Sequence, residues 1–338
     1  MATIIQLFNK YQNENINNLN EMLLKRFSEI FKVTIQEAEF FINLYLVLPS
    51  EKININGNYT YEFHNIFHTP RHRSHFIGTK ENQVVSLNLT NLKLNIIPES
   101  IWRLKSLKYL TMNYSNLKNL PKNIRYLKKL KYLSLIGNKL KNLPPSLLYL
   151  KKLRYLNLKQ NSLNFLPEGI GQLVNLKNLN LLYNDIQELP DSIYELAKGK
   201  RSKRYVRSGV EPQEASALGL FEILIGFKLI KISEQLLRLM KSKQMLLHEA
   251  NYYILDENGH VVKIFLYSRS PILSIIPKNI SNLKYLEELY LYTNEIRTLP
   301  STIQILHNLK ELHLSESKIK AVPAGLKKFI NSIKKFSY

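Results

Sequence analysis

The chain has 338 residues, of which 48 are Lys or Arg, 26 are Asp or Glu and none is Cys. The absence of cysteine excludes disulfides, thiolate-bound metals and a thiol nucleophile, and it favours a cytoplasmic location. The formal net charge of +22 favours an acidic protein, a nucleic acid or an anionic membrane as a partner, but it says little about the fold.

Residues 1–83 are predicted to form an N-terminal helical or cap region. One helix is expected to begin at Thr34, because Thr34 and Glu37 have the spacing of a capping box, and to end before Pro49. Four histidines follow at nearly helical spacing: His64, His68, His72 and His75. A metal site is one interpretation of this spacing. Because Pro70 interrupts the helix, we favour a polar loop and predict no bound metal.

A 23-residue repeat fills residues 84–198. Four copies share the pattern L-x-x-L-x-L-x-x-N-x-L-x-x-L-P-x-x-I-x-x-L, and a fifth precedes them; the copies begin at Val84, Leu107, Leu130, Leu153 and Leu176. The L-x-L segment has the two-residue period of a β-strand, and the proline suits the start of a short helix. One copy cannot bury enough apolar surface to fold alone, so the five copies are expected to stack as coils.

The ninth position of the coil is predicted to be structural. It is occupied by Asn138, Asn161, Asn184 and Asn294. An amide side chain both donates and accepts hydrogen bonds, so a row of stacked asparagines can satisfy backbone groups between coils. Ser115, at the same position, can do part of this.

Residues 199–260 are predicted to be a basic linker followed by a helical insert. A helix is expected to start at Pro212 and to end near Gly226. The linker contains a basic run of Lys200, Arg201, Lys203, Arg204 and Arg207. One interpretation is a solvated linker, and the other is contact with nucleic acid, acidic protein or lipid headgroups.

A second block of three repeats is predicted over residues 261–329, with copies that begin at Val261, Leu286 and Leu309. Residues 330–338 are predicted to end a C-terminal capping helix, and a basic amphipathic helix at a membrane surface is the alternative. The segment 33–38 resembles 210–215, and each begins 51 residues before the first copy of a block. We therefore infer a duplicated unit, made of a helical segment followed by a block of coils.

The repeat resembles the leucine-rich-repeat superfamily, in particular its 23-residue Ras-group, Ras-suppressor-like class, over about 195 of the 338 residues. This resemblance implies an α/β leucine-rich-repeat solenoid, a horseshoe with parallel strands on its concave face, with α-helical segments that cap or interrupt the array. It also implies a non-catalytic scaffold or adaptor that binds a protein, without cofactor or small-molecule substrate. A small GTPase, and hence small-GTPase-type signalling, is the family-level candidate. The chain has no phosphate-binding loop and no kinase motif, so we expect no enzymatic activity.

Positions 3, 5, 7 and 8 of each coil are expected on the concave face, where position 3 places tyrosines on neighbouring strands. The predicted contact residues are Tyr109, Thr111, Asn113, Tyr114, Tyr132, Ser134, Tyr155, Asn157, Lys159, Asn180, Tyr183, Tyr290 and Tyr292. Tyrosine is common at binding hot spots. The alternative is that the tyrosines only stabilise the sheet. In the second block, Glu288 and Glu311 are expected to make this face mildly acidic.

Lysines recur at the junction between coils and are predicted to form a basic edge. Its residues are Lys108, Lys128, Lys129, Lys131, Lys151, Lys152, Arg154 and Lys177. One interpretation is a solubilising surface, and the other is an electrostatic binder of nucleic acid or anionic membrane. We expect few aromatic residues beside this edge, so any nucleic-acid binding would depend on phosphate contacts alone.

Overall fold

The computed structural model describes residues 21, 24–25, 28–29, 32–47, 75–198, 200–242, 251–267, 273–292, 294–314, 317–319 and 322–337. The chain divides into two compact units, residues 1–156 and residues 157–338. In the part of the chain that the structure describes, no helix has the length and apolar character that a membrane span requires.

The elements described for the first unit are an α-helix, a series of short strands and several 3-10 helices. In chain order these are α1 (Ile35–Val47), β1 (His75–Lys80), β2 (Gln83–Leu89), η1 (Glu99–Arg103), β3 (Tyr109–Thr111), η2 (Lys122–Tyr126), β4 (Tyr132–Ser134), η3 (Pro145–Tyr149) and β5 (Tyr155–Asn157), which reaches the boundary between the units. Strand β1 is antiparallel to β2, whereas β2, β3 and β4 are parallel. The parallel register advances by one repeat per strand, since Ser86 pairs with Tyr109 and Tyr109 with Tyr132.

The second unit contains the remaining elements. They are η4 (Ile170–Gln172), β6 (Asn178–Asn180), η5 (Asp191–Ala197), α2 (Lys200–Arg207), α3 (Pro212–Ile225), β7 (Ile230–Lys231), α4 (Glu234–Ser242), β8 (Tyr252–Leu255), β9 (Val261–Leu266), η6 (Lys278–Asn282), β10 (Glu288–Leu291), η7 (Ser301–Ile305), β11 (Glu311–His313), η8 (Ala324–Leu326), α5 (Lys327–Ser332) and β12 (Lys335–Ser337). Strands β7 to β12 form one sheet in the order β12-β11-β10-β9-β8-β7. Only the β8–β9 pair is antiparallel among the pairs described for this sheet.

The core of each coil consists of the recurring leucines. The central strand leucines are fully buried: Leu110, Leu133, Leu156, Leu179, Leu289 and Leu312. The proline of each repeat precedes a 3-10 helix and not an α-helix, because the leucine that ends the helix bonds to a carbonyl three residues back, as Leu127 N–H does to Ile124 (3.0 Å). The predicted alternation of strand and short helix is therefore confirmed, with a tighter helix than expected.

Helices α1 and α3 begin where the sequence predicts. Glu37 accepts the N–H of Thr34 at 3.2 Å and Thr34 Oγ1 accepts the N–H of Glu37 at 3.2 Å, which confirms the capping box. Helix α3 begins at Pro212 and is closed by Gly226, whose φ of 79° is left-handed. Eleven of the residues of α3 are buried, so it packs on several sides at once.

The prediction that the chain ends in a capping helix over 330–338 is wrong. Helix α5 stops at Ser332, and Lys335–Ser337 forms β12, which runs parallel to β11. The apolar pair Ile333 and Phe336 has a three-residue spacing that suits a helix face, but the same spacing begins every coil of the repeat. Here the chain gains backbone hydrogen bonds by starting another strand, with Leu314 N–H donating to the carbonyl of Ser337 at 2.7 Å.

The basic run does not form the linker predicted for it. Its residues lie in helix α2, which packs against α3. Tyr205 is buried, and Arg204 forms an ion pair with the buried carboxylate of Glu222. Residues 252–255, predicted within a helical insert, form strand β8. Burial of the Tyr205 side chain stabilises this highly charged stretch as a helix.

Candidate binding surfaces of the coils

Three tyrosines form a row on the outward face of the first unit. This tyrosine row consists of Tyr109, Tyr132 and Tyr155, at position 3 of consecutive coils. Tyr109 is 48% exposed and Tyr155 is 42% exposed. The ring centroids of Tyr132 and Tyr155 lie 6.2 Å apart with the planes inclined by 41°. The row is thus a continuous aromatic surface that keeps much of its area in solvent.

Tyr114 extends this surface. It is 51% exposed and has a left-handed φ of 51°, and Gly137 of the next coil has a left-handed φ of 65°. A Cβ atom on Gly137 would lie inside the ring of Tyr114, so the ring rests directly on the glycine backbone. The Tyr114 N–H also donates to the carbonyl of Ile136 at 2.7 Å. The packing of the ring on the backbone of the next coil therefore holds the side chain in place.

Several polar residues predicted as contacts hold the coils instead. Ser134 is fully buried and donates to Asn113 Oδ1 at 2.8 Å, so the prediction that Ser134 contacts a partner is wrong. The same oxygen of Asn113 accepts the N–H of Ile136 at 2.9 Å. Buried hydroxyls need a partner, and a neighbouring coil supplies it here. The amide of Asn113 is thus committed to joining two coils.

In the second unit, Asn157 and Asn180 serve local turns. Asn157 Oδ1 accepts the N–H of Lys159 at 3.1 Å, and Asn180 Oδ1 accepts the N–H of Leu182 at 3.1 Å. Lys159 Nζ lies 5.1 Å from the ring centroid of Tyr183, within range of a cation–π contact. Burial raises the pKa of Tyr183 above its ordinary value. The polar contact surface is accordingly smaller than the sequence suggests. Thr111, in the first unit, is half-buried.

The asparagines at position 9 join neighbouring coils through buried hydrogen bonds. Asn184 Oδ1 accepts the N–H of Leu163 at 3.0 Å, and its amide donates to the carbonyl of Leu158 at 2.9 Å. Asn294 Oδ1 accepts the N–H of Leu273 at 2.9 Å. Asn138 and Asn161 are buried at the equivalent positions. These side chains belong to the interior and are unavailable to a partner.

The outward face of the second sheet carries a stack of four rings. The ring centroids of Tyr252 and Phe265 are 4.6 Å apart, those of Phe265 and Tyr290 4.4 Å, and those of Tyr290 and His313 4.5 Å. Leu237 of helix α4 packs on the buried end of this stack, over Tyr252 and Phe265. The predicted contact residue Tyr290 therefore has both ring faces covered.

Tyr292 lies at the edge of the same stack. Its ring centroid is 5.7 Å from Tyr290, 5.8 Å from Tyr267 and 6.1 Å from His313. Burial raises the pKa of Tyr292, and the carboxylate of Glu311 adds to the rise. Tyr292 is half-buried. It offers a smaller free surface than the tyrosine row of the first unit.

The carboxylates of the second sheet are neutralised by lysines. Glu288 lies 2.8 Å from Lys263, and Glu311 lies 2.6 Å from Lys335. The hydroxyl of Tyr290 donates to Glu311 at 2.5 Å. The hydrogen bonds from Lys335 and Tyr290 lower the pKa of Glu311 to about 2. The face that we expected to be mildly acidic is therefore an internally paired surface.

The predicted basic edge forms an ordered strip in the first unit. We use the name basic strip for Lys105, Lys108, Lys128, Lys129, Lys131, Lys151, Lys152 and Arg154. Lys131 N–H donates to the carbonyl of Lys108 at 2.8 Å, and Arg154 N–H donates to that of Lys131 at 2.8 Å. The three side chains at position 2 thus lie side by side on stacked coils. Lys177 is exposed at the same position in the second unit.

The expectation that few aromatic residues accompany the strip is wrong. A second series of rings lies in the last two residues of the 3-10 helices, just before the strip lysines; we name Trp102, Tyr126 and Tyr149 the ring row. Tyr126 is 43% exposed and Tyr149 is 55% exposed. Lys128 Nζ lies 4.9 Å from the ring centroid of Tyr149. The signal was present in the sequence, as an aromatic at position 19 or 20 in three consecutive copies.

The comparison with protein families identifies the repeat. A family model described as leucine rich repeat matches residues 128–186. These residues are leucine-rich repeats. The same coil, with its buried leucines, recurs on either side of the match, and the fold is an α/β leucine-rich-repeat solenoid, as predicted. The narrower Ras-suppressor-like class stays a prediction, since the matching description is the general one.

Solved structures with leucine-rich repeats are similar to this chain at low identity. The leucine-rich-repeat protein LIC12759 of Leptospira interrogans is 23% identical, with 76% of this chain and 73% of that chain covered and a TM-score of 0.36. The leucine-rich repeat domain of the type III effector XopL is 17% identical, with 95% and 90% covered and a TM-score of 0.39. The BIR3–SERK2 complex of Arabidopsis thaliana gives 25% identity, 47% and 87% coverage and a TM-score of 0.37. No curated protein matches the chain.

The histidine cluster lies largely outside the described residues. His64, His68 and His72 are not described, and His75 begins strand β1 and not a loop. Among the residues that the structure describes, no group of three or more His, Cys, Asp or Glu side chains could hold a metal ion. A leucine-rich-repeat domain, such as the one matched over residues 128–186, fits a protein-interaction scaffold.

Proposed function

We propose that this protein is a non-catalytic scaffold that binds a protein partner through the tyrosine row of its first unit. The observation that carries the proposal is the exposure of Tyr109 and Tyr155, at 48% and 42%, on stacked parallel strands. Neighbouring strands lie about 5 Å apart, so the three rings present one contiguous face. Tyr114 widens that face.

The chemistry of this face suits a protein interface. Tyrosine buries a large area while losing little side-chain entropy, and its hydroxyl can still find a polar partner. The backbone beneath the rings is fixed by the parallel register of β3 and β4. A preorganised aromatic surface spends little free energy on ordering when a partner binds. The corresponding ring stack of the second sheet is less suited, because Leu237 and neighbouring rings cover it.

Two narrower statements belong to the same proposal. We place the protein in the cytoplasm, because the chain has no cysteine with which to form the disulfides that are typical of proteins in oxidising compartments. A small GTPase is the partner that the resemblance to Ras-group repeats favours. Neither statement is needed for the tyrosine row to act as the interface.

The test compares two variants that each remove two tyrosines from neighbouring coils. The first is Tyr132→Ala with Tyr155→Ala, in the tyrosine row. The matched control is Tyr126→Ala with Tyr149→Ala, in the ring row. Tagged proteins are purified with their partners from the native cell, and bound proteins are quantified by mass spectrometry. We expect the first variant to lose at least about tenfold of a specific partner, since a hot-spot side chain contributes 2 kcal/mol or more, while the control retains it.

Both variants are expected to stay folded, because a cross-strand aromatic pair stabilises a sheet by only about 0.2–1 kcal/mol. Far-UV circular dichroism and urea denaturation check this. Full retention of every partner by the Tyr132→Ala, Tyr155→Ala variant would show that the row only stabilises the sheet.

A further inference from the structure

Much of the net positive charge of the molecule lies in one part of the first block. Residues 100–167 contain fifteen Lys and Arg residues and no Asp or Glu. A surface that serves solubility usually mixes both signs. Charge of a single sign over three coils instead produces a field that attracts a polyanion and weakens with salt.

The geometry of the strip adds order to this charge. Three positions flank the first leucine of each coil: the last two positions of the preceding coil and the second position of the coil itself. Around Leu130 and Leu153 all three are basic. Lys128, Lys129 and Lys152 are exposed, and no carboxylate pairs with them among the described residues. Lys129 Nζ lies 3.4 Å from Ser106 Oγ of the preceding coil, so the side chains reach along the direction of stacking.

The ring row runs beside the strip in the same direction. The ring centroids of Trp102 and Tyr126 lie 6.3 Å apart, and the planes are inclined by 62°. Lys105 Nζ lies 5.6 Å from the Trp102 centroid, and Lys128 Nζ lies 4.9 Å from that of Tyr149. Two parallel columns result, one of aromatic rings and one of cations, and both repeat once per coil.

The second block shows that the coil itself does not require this arrangement. The residues that flank Leu286 are Lys284, Tyr285 and Glu287, and Lys310 beside Leu309 forms an ion pair with Glu287 at 2.7 Å. The same positions are thus mixed in sign and paired with each other in one block, whereas every charged residue at these positions in the other block is basic. The strip is a property of the first block that its packing does not explain.

We propose that the basic strip and the ring row together bind single-stranded nucleic acid. Proteins that bind single strands combine a basic track for the phosphates with aromatic side chains on which bases stack. Here a strand lying along the stacked coils places its phosphates on the strip and its bases on Trp102, Tyr126 and Tyr149. The contact is independent of sequence, because every base has a π-face.

Other polyanions fit the two columns less well. An anionic membrane is attracted by lysines, but it has no repeat that would match a ring and a cation cluster in every coil. An acidic protein needs the cations and makes no special use of a row of rings. A linear polymer with alternating anionic and aromatic groups uses both columns at each step.

The test measures binding of a fluorescein-labelled oligouridylate of about 12 nucleotides by fluorescence anisotropy over a range of salt concentrations. The ring variant is Tyr126→Ala with Tyr149→Ala, and the strip variant is Lys128→Gln, Lys129→Gln, Lys151→Gln and Lys152→Gln. We expect the ring variant to bind at least about tenfold more weakly with an unchanged salt slope. The strip variant should lower the slope of log K against log salt by about 3.

Matched controls separate this site from general charge and from the tyrosine row. Tyr132→Ala with Tyr155→Ala removes two tyrosines from the other face, and should bind the oligonucleotide like wild type. Lys284→Gln, Lys318→Gln, Lys327→Gln and Lys328→Gln removes the same charge from exposed positions of the second unit, and should change the slope far less. Circular dichroism confirms folding of each variant.

A further pair of measurements distinguishes bases from lipid. Tyr126→Leu with Tyr149→Leu keeps apolar area but removes the π-faces, so oligonucleotide binding should fall as in the alanine variant. If the leucine variant binds like wild type, if the ring variants and their control are equal, or if phosphatidylserine vesicles are bound in preference to the oligonucleotide, the proposal is overturned.

Discussion

Asn138 shows why the ninth position of the coil takes asparagine. Its side-chain oxygen accepts the backbone N–H of Ser115 at 3.1 Å and of Leu117 at 3.0 Å. Its amide donates to the carbonyls of Met112 at 2.8 Å and Leu135 at 2.9 Å. One buried side chain thus satisfies four backbone groups on two coils, which neither a hydroxyl nor a carboxylate could do alone.

Replacing Asn138 by Ala should lower the free energy of unfolding by about 2–4 kcal/mol. Four backbone groups lose their partner inside the protein, and a buried unsatisfied group costs about 1–3 kcal/mol, partly relieved by entering water. The midpoint of urea denaturation, followed by far-UV circular dichroism, reports the change. Asn142→Ala, at an exposed position of the same coil, should change stability by less than about 0.5 kcal/mol. Equal effects of the two substitutions would contradict this account.

The sequence predicts this residue because the asparagine recurs with the leucines. It does not distinguish Asn113 and Ser134 from contact residues, since both lie at positions that point outward in the repeat. Their hydrogen bond at 2.8 Å depends on the spacing between two coils, which a one-dimensional pattern does not contain. A polar residue that recurs in every coil can therefore be predicted as structural from the sequence. The role of a polar residue that occurs in one coil only becomes evident from its contacts in the structure.

The two blocks begin with the same helix-to-strand contact. Glu37 of α1 is buried and accepts the N–H of Val84 at 3.0 Å. Glu214 of α3 is buried and accepts the N–H of Val261 at 2.7 Å. Both contacts join residues 47 apart in the chain. This equivalence supports the inferred duplication, because it involves a buried carboxylate that chance similarity of a short segment would not place twice.

We expect Glu37→Ala and Glu214→Ala each to lower the free energy of unfolding by about 1–3 kcal/mol, because each leaves a buried N–H without an acceptor. Glu214→Gln should be milder than Glu214→Ala, since the amide oxygen can still accept from Val261. Burial raises the pKa of Glu214, so the ionised carboxylate is disfavoured there and a neutral amide avoids that penalty. Urea denaturation measures all three, with exposed Gln213→Ala as the control. If Glu214→Gln lowers the free energy of unfolding as much as Glu214→Ala does, the hydrogen-bond explanation is wrong.

At the scale of elements, the regular coils and helices α1 and α3 are predictable, and the exceptions have local causes. The sequence does not predict the hairpins β1–β2 and β8–β9, because the first strand of each hairpin does not carry the repeat pattern. Helix α2 is not predicted because Tyr205, the one buried side chain among those described for this helix, lies among basic residues. The sequence predicts a helix where β12 lies, because a three-residue apolar spacing is compatible with both structures. In each of these segments the apolar residues are too few, or their spacing is too ambiguous, to distinguish a helix from a strand.

Over the whole molecule, the sequence leaves open how the two blocks are connected. Within the second unit, helix α3 packs against β6 and η5 of the first block and against η6 of the second. Two ion pairs also connect these blocks within the second unit: Arg297 lies 2.7 Å from Asp185, and Lys278 lies 2.9 Å from Glu188. A helix that is buried on nearly all sides is a core element and not a hinge.

The buried ring of Phe221 in α3 tests whether this helix joins the two blocks. Phe221→Ala should destabilise the second unit by about 3–5 kcal/mol, because a fully buried ring leaves a cavity. Since α3 contacts both η5 and η6, backbone amides of both should exchange with deuterium faster in the variant, and by similar factors. Leu312→Ala in β11 is the control: it opens a cavity of comparable origin, but should speed exchange near β10 and β12 while leaving η5 unchanged. Faster exchange in η6 alone would mean that the two blocks unfold independently and that α3 caps only the second.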